Sequence, residues 1–225
     1  MKNPYSIVED FESAVADYAG SRYAIAVDTC TAALFLCCKY CQVERDVTTL
    51  PSRTYCSVPN AIIHAGGQVR FQDHDWHGEY ELQPWKIVDS ALRFRRGMYL
   101  PGTFRCLSFQ YRKHLPIGRG GMILTDDAQA ADWFRLARFN GRRPVPLTHD
   151  APVMVGWLLY MEPERAARGL ALMMNVRDAY PDLCNDYPPL HEMEVYRPYA
   201  IEPLERRSLP IEVAQVHQPL PASRQ

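Results

Sequence analysis

The sequence has no run of about eighteen apolar residues, so it does not predict a transmembrane helix. The first ten residues include Glu9 and Asp10 and lack the apolar core of a signal peptide. We therefore expect a cytoplasmic protein, in the host cytoplasm if the chain is of viral origin. The chain also lacks the overall positive charge that favours nucleic-acid binding, since its formal net charge is −1 over 225 residues.

The cysteines do not form a metal-binding pattern. Cys38 and Cys41 have the spacing of zinc ligands, but no second pair is available to complete a tetrahedral site, and we predict no metal. Seven cysteines is an odd number, and several of them lie in or beside one apolar helix. This arrangement favours reduced thiols in a protein core.

Apolar runs and amphipathic segments alternate along the first 140 residues. The pattern predicts helices at 7–19, 31–43, 57–65, 127–139 and 162–176, and strands at 23–28, 47–50, 69–72, 86–89, 103–109 and 121–125. Such alternation indicates an α/β fold, with a mainly parallel sheet covered by helices on both faces. In such sheets ligands bind beyond the carboxyl ends of strands, which is where Asp28, Asp89 and Ser108 are predicted.

The segment around Lys113 is the most informative part of the sequence. It places this lysine in a short polar loop between the apolar run 104–109 and the glycine-rich turn 118–121. A partly desolvated lysine has a lowered pKa, and its amine can then attack a carbonyl. Pyridoxal phosphate (PLP) enzymes attach their cofactor through such an amine. The alternative is an ordinary solvated surface lysine.

Five segments in collinear order resemble the DegT/StrS family of PLP-dependent sugar aminotransferases. Ser108-Phe109-x-x-x-Lys113-x-Leu115, followed by Gly118-x-Gly120-Gly121, is similar to the cofactor-lysine signature of that family. Segments 11–27, 28–34, 50–67 and 86–91 resemble the family's preceding motifs. The resemblance implies a shortened PLP enzyme of fold type I. It also implies a large-domain-like core at 1–178 and a proline-rich extension at 179–225, which would be the remnant of a small domain.

The resemblance also implies roles for individual residues. Lys113 would form a Schiff base with pyridoxal 5'-phosphate, Asp89 would hold the pyridine nitrogen protonated, and Tyr55 would lie over the ring. The phosphate would be held at a strand-to-helix turn and the lysine strand, by Thr29, Cys30, Thr31 and Ser108. Without the resemblance, each position has an ordinary alternative: a helix N-cap for a threonine, a turn-capping carboxylate for Asp89, and core or surface packing for Tyr55.

Arginines follow the predicted cofactor residues. Arg93 comes after Asp89, and Arg112 and Arg119 flank the lysine loop. Clustered arginines near an active site suggest an anionic substrate, although solvated loop charge is an equal alternative.

The sequence departs from the family at four places. Residues 76–85 are too few for the strand and helix that usually come there, and the small domain is mostly absent, so we expect a wider cleft. Leu92 stands where the family has a glutamine that contacts the cofactor ring oxygen. The family's Gly-x-Asn-x-Arg-Met segment, whose asparagine reaches the partner subunit, reads as apolar residues at 156–161. The chain can still form a homodimer after this change. The contact that the asparagine makes with the partner subunit is lost.

Three functions remain open. Transamination between an amine and a keto substrate, with a nucleotide-linked keto-sugar as acceptor, is the family's common reaction. The alternative is a lyase, such as a PLP-dependent decarboxylase acting on a large anionic substrate. An example is an amino-acid-modified (glycyl-type) thymidine in phage DNA, which would make the substrate DNA-borne. The third is a non-catalytic relative, which the loss of the glutamine at Leu92 favours and the retention of Lys113 and Asp89 opposes.

Overall fold

Helices and strands alternate along most of the chain in the computed structural model, which describes residues 3–201. The helices are α1 Ser6–Ala19, α2 Cys30–Tyr40, α3 Ser57–His64, α4 Ala128–Ala137 and α5 Pro163–Met173. The strands are β1 Tyr23–Val27, β2 Val47–Pro51, β3 Gln68–Gln72, β4 Tyr80–Leu82, β5 Ile87–Asp89, β6 Phe104–Ser108 and β7 Gly121–Thr125. Every helix and strand predicted at 7–176 is present, with ends that differ by at most three residues. Among residues 3–201, no helix combines the length and apolar character needed to cross a bilayer.

Local sequence signals explain where these helices begin and end. Thr29 caps α2 by accepting a hydrogen bond from the Ala32 amide, and Asp127 caps α4 in the same way. Helix α1 ends at Gly20, whose φ of +79° is a left-handed conformation that glycine adopts without steric cost. The helix positions therefore follow from capping residues that the sequence shows directly.

The central sheet has five strands in the order β1-β7-β6-β5-β4. Only β5 and β6 pair in parallel; the other three pairings are antiparallel. Strands β2 and β3 form a separate parallel pair. The α/β class is confirmed, but the sheet is mixed rather than mainly parallel. The connections from β4 to β5 and from β6 to β7 contain no helix, whereas parallel neighbours require a longer crossover.

Helices cover both faces of the sheet, as expected. Side chains of β1 alternate: Ile25 and Val27 pack with α2, α3 and α4 on one face, and Ala24 and Ala26 pack with α1 and α5 on the other. Helix α5 approaches α1 closely at Gly169. A Cβ at this position would overlap the Phe11 ring, so the approach requires glycine. The two apolar clusters place the sheet in the middle of the fold.

One element differs from expectation. The segment 76–85 contains a short strand, β4, which was not predicted because its three residues are stabilised mainly by pairing with β5. After α5 the chain returns across the core and forms two short 3-10 helices, Leu190–Glu192 and Glu194–Tyr199. The rest of the predicted extension, 202–225, lies outside the described residues, and the division into 1–178 and 179–225 stays a prediction.

Candidate active site

Nine of the ten residues selected from the sequence line one cavity of about 660 Å³. The cavity lies beyond the carboxyl ends of β5 and β6 and beside the first turn of α2. The nine are Thr29, Cys30, Thr31, Tyr55, Asp89, Ser108, Arg112, Lys113 and Arg119. Because β5 and β6 run in parallel, Asp89 at the end of one strand and the loop that follows the other open on the same edge.

Lys113 lies in the loop after β6 and is half-buried at the cavity wall. Its backbone amide donates a hydrogen bond of 2.8 Å to the Gln110 carbonyl, which fixes the turn that carries it. Burial lowers the pKa of the Lys113 amine, and the negative charge of Asp89 opposes that shift. The loop thus partly desolvates the amine, which favours its neutral, nucleophilic form.

Asp89 ends β5 and is only 5% exposed. One carboxylate oxygen accepts a hydrogen bond of 3.0 Å from the Tyr80 hydroxyl, and the other accepts one of 3.0 Å from the Ala91 amide. Burial raises the pKa of Asp89, while both hydrogen bonds and nearby Lys113 oppose the rise. A buried carboxylate at a cavity wall suits a cationic partner, such as a protonated ring nitrogen.

Tyr80 is a site residue that sequence reasoning missed. It is buried in β4, and its hydroxyl also exchanges a hydrogen bond with Thr54. Tyr80 pairs directly with Asp89 in the antiparallel register of β4 and β5. Only the unpredicted strand brings them together, and the one sequence signal was an alternating Tyr-x-Leu pattern.

The first turn of α2 combines capping with free hydroxyl groups. The Thr29 hydroxyl accepts from the Ala32 amide at 3.0 Å and donates to Asp28 at 3.0 Å, so the N-cap interpretation holds for this residue. Within residues 3–201, the hydroxyls of Thr31 and Ser108 make no hydrogen bond to the protein. A helix N-terminus with free amides and hydroxyls facing a cavity is suited to a phosphate.

Tyr55 lies at the cavity but is 56% exposed. Its ring centroid is 5.9 Å from that of Tyr187, which comes from the chain after α5. Leu183, Cys184 and Asp186 from the same segment also line the cavity. This segment narrows the cleft, whereas the short sequence led us to expect a wider one.

The three arginines differ in position. Arg119 lines the cavity and pairs with Asp28 at 2.6 Å, and the Arg112 guanidinium lies 5.6 Å from the ring centroid of Tyr111. Arg93 is the one selected residue that does not line the cavity. Its guanidinium instead pairs with Glu79 at 2.7 Å and with Asp182 at 2.6 Å. The substrate role expected for Arg93 therefore has no support from its position.

The departures noted in the sequence are also visible in the structure. Leu92 lines the cavity and is buried, so an apolar side chain stands where the family has a glutamine. In the segment 156–161, the Leu159 carbonyl accepts from the Asp28 amide at 2.9 Å, and Leu158 is 62% exposed.

A buried carboxylate, a partly desolvated lysine and a helix N-terminus lie around one cavity, and the α/β fold that carries them is that of the PLP enzymes of fold type I. The sequence model of the DegT/DnrJ/EryC1/StrS aminotransferase family matches residues 1–91 and 100–180. The chain belongs to this family. Pyridoxal phosphate is the family's cofactor, which confirms the cofactor expected from the sequence, and the residues around the cavity fit it.

Individual relatives agree with this assignment. The spore coat polysaccharide biosynthesis protein SpsC of Bacillus subtilis is 28% identical over an alignment covering 60% of this chain and 46% of that protein. The sugar aminotransferase CalS13 from Micromonospora echinospora superposes with a TM-score of 0.64 at 20% identity, over 76% of this chain and 60% of the other. A family aminotransferase from Brucella abortus superposes with a TM-score of 0.69 at 17% identity, over 86% and 79%. The chain spans about half the length of the curated relative it matches.

Proposed function

We propose that the chain is a PLP-dependent aminotransferase that transfers an amino group to a keto-sugar, with a nucleotide-linked sugar as acceptor. The observation that carries this proposal is that Lys113 and Asp89 face one cavity beside the N-terminus of α2. The names of the relatives support the sugar: CalS13 is a sugar aminotransferase, and SpsC is a polysaccharide biosynthesis protein.

Each residue has a role that follows from its chemistry. Bound here, PLP would supply an electron sink for the bond broken at the amine-bearing carbon. The Lys113 amine would attach the cofactor and, once released, accept and return a proton at that carbon. Asp89 would keep a proton on the ring nitrogen, and Tyr55 would contact the ring face. The hydroxyls of Thr31 and Ser108 would donate to the phosphate.

The Lys113 amine can accept a proton only when it is neutral. Burial lowers the pKa of Lys113, so a larger neutral fraction is present near neutral pH than for an exposed lysine. The carboxylate of Asp89 opposes this shift while its charge is uncompensated. A cationic ring nitrogen next to Asp89 would compensate that charge and so favour the neutral amine.

Cofactor attachment is tested with the four lysines of the chain, Lys2, Lys39, Lys86 and Lys113. Purified protein mixed with PLP should gain visible absorption, and borohydride reduction followed by peptide mapping should place the cofactor on Lys113. Lys113→Ala should abolish the absorption. Lys39→Ala is the matched control, since Lys39 contacts the Ala65 carbonyl away from the cavity. A wild-type protein that takes up no PLP would contradict the proposal.

The reaction is tested separately from attachment. Incubation with an amino donor and a keto-sugar nucleotide should yield an amino sugar and a keto acid. Neither the family nor the relatives named above support the decarboxylase or the modified-DNA substrate. If the protein nevertheless releases carbon dioxide from amino-acid-modified DNA without forming a keto acid, its reaction is decarboxylation and the proposed transamination is wrong.

A non-catalytic relative is the second candidate, and the buried Leu92 at the cavity wall favours it. It predicts that the protein binds PLP on Lys113 but turns over neither class of substrate. A homodimer and a cytoplasmic location also remain predictions. The exposed apolar side chains of Val155 and Leu158 support the dimer.

A further inference from the structure

Residues 181–190, called the strap below, supply four side chains to the wall of the active-site cavity. These are Leu183, Cys184, Asp186 and Tyr187. The family model matches the chain only up to residue 180, so the strap lies beyond the matched part.

Hydrogen bonds to the core backbone hold both ends of the strap. The Leu183 amide donates to the Leu92 carbonyl at 2.9 Å, and the Leu190 amide donates to the Ser52 carbonyl at 2.8 Å. Between them, the Asn185 side-chain amide donates to the Arg53 carbonyl at 3.3 Å. These contacts tie the strap to segments on two sides of the cavity.

Arg93 fastens the strap at its start. Its Nε and Nη2 atoms donate to the two carboxylate oxygens of Asp182, at 2.9 and 2.6 Å, while Nη1 pairs with Glu79. Both side chains of the Arg93–Asp182 pair are largely buried, at 16% and 22% exposed. Bidentate, charge-assisted pairs have defined geometry as well as strength. A Cβ at Gly78 would overlap the Asp182 carboxylate, so the strap lies directly on this turn.

Tyr187 contacts the residue expected to lie over the cofactor ring. Its ring is half-buried and lies 5.9 Å from Tyr55 at an angle of 55°. Tyr55 remains 56% exposed with Tyr187 beside it, so this ring pair restricts Tyr55 on one side while much of its surface stays open. Burial, and then the nearby charge of Asp89, raises the pKa of Tyr187 to about 12, so its hydroxyl stays protonated at neutral pH.

We infer that the strap is a built-in wall of the active site, fastened by the Arg93–Asp182 pair, and that its Tyr187 positions Tyr55 against the bound cofactor. The inference rests on the proposed PLP site. It gives Arg93, which lies outside the cavity, a role in holding the wall rather than in binding substrate.

The Tyr187 part is tested by PLP affinity, measured from the visible absorption of the full chain. Tyr187→Ala should weaken PLP binding about five-fold, which corresponds to the ~1 kcal/mol of an aromatic pair. Tyr187→Phe keeps the ring contact and should bind within about two-fold of wild type. Tyr199→Ala is the control, since Tyr199 is exposed and lies outside the cavity lining. Equal PLP affinity in Tyr187→Ala and wild type, with all variants folded, would overturn this part.

The strap itself is tested by hydrogen exchange of the 181–190 peptide. Asp182→Asn should speed its exchange several-fold, and added PLP should slow it in wild type. Asp178→Asn is the matched control, because Asp178 makes an exposed ion pair with Arg96 at 2.6 Å outside the cavity. Equal exchange in the two variants would overturn the fastening role. If wild type takes up no PLP, the role of Tyr187 falls with the proposed function, and exchange in Asp182→Asn still decides whether Arg93 fastens the strap.

Discussion

Replacing Tyr80 with Phe tests whether β4 supports the cofactor carboxylate. The change removes one buried hydroxyl that bonds both Asp89 and Thr54 and leaves the ring in place. One lost hydrogen bond is to a charged group and the other is neutral, so we expect a loss of about 2–3 kcal/mol in the free energy of unfolding. For a chain of this size that corresponds to a melting temperature lower by roughly 5–10 °C.

The effect should depend on pH in a defined direction. Burial raises the pKa of Asp89 above its ordinary value of 3.8, so the stability associated with this group is lost as pH rises through its folded pKa. The Tyr80 hydroxyl donates to the carboxylate and therefore offsets part of that loss. The stability gap between Tyr80→Phe and wild type should consequently be wider at neutral pH than at mildly acidic pH.

Denaturant unfolding of the cofactor-free protein, followed by circular dichroism, measures both effects. Tyr199→Phe is the control, since Tyr199 is 45% exposed and makes no side-chain hydrogen bond within residues 3–201. A gap below about 0.5 kcal/mol, within the range of ordinary surface substitutions, would refute the reasoning. So would a gap that narrows as pH rises.

Three further predictions concern α2, the lysine and the assembly. Thr29→Val removes the cap of α2, so we expect a loss of about 1 kcal/mol in unfolding free energy and weaker PLP binding, with Thr29→Ser close to wild type in both measurements. The rate of PLP attachment should rise with pH and level off below pH 10.5, because burial lowers the pKa of Lys113 and attachment needs its neutral amine. Asp89→Asn should shift that pH profile to lower pH, because the charge of Asp89 raises the pKa of Lys113. A profile with the pKa of an ordinary exposed lysine in both proteins would contradict these two expectations. Leu158→Asp should convert the predicted dimer to a monomer in light scattering, because Leu158 is 62% exposed and apolar, whereas a monomeric wild type would contradict the dimer.

The secondary structure could be predicted because its signals are local. The predicted helix 127–139 is α4, which begins after Asp127 because this side chain caps the first turn. The predicted strand 121–125 is β7, which contains the apolar run 122–124 and is buried along its whole length. Strand β4 escaped prediction because three residues carry too little periodicity to separate a strand from a loop.

The residues that line the cavity could be predicted from the sequence for a different reason. Asp89 ends one apolar strand and Lys113 follows another, and the resemblance to a family placed them in one motif order. The roles given to them remain predictions, but their shared position beyond β5 and β6 is a fact of the fold. Arg93 was misplaced because sequence proximity to Asp89 says nothing about which way a side chain turns, and here it turns to Glu79 and Asp182.

By itself, the sequence determined the α/β class, the order of the helices and of every strand except β4, and the lysine around which the site forms. Each of these depends on residues that are close together in the chain, where spacing and capping are visible. The tertiary structure decided the direction of the strands, the support of Asp89 by Tyr80 and the covering of the cavity by the strap. These depend on contacts between distant segments, such as the 89 residues that separate Arg93 from Asp182 and the 132 that separate Arg53 from Asn185. Only burial and pairing in the folded chain select such partners.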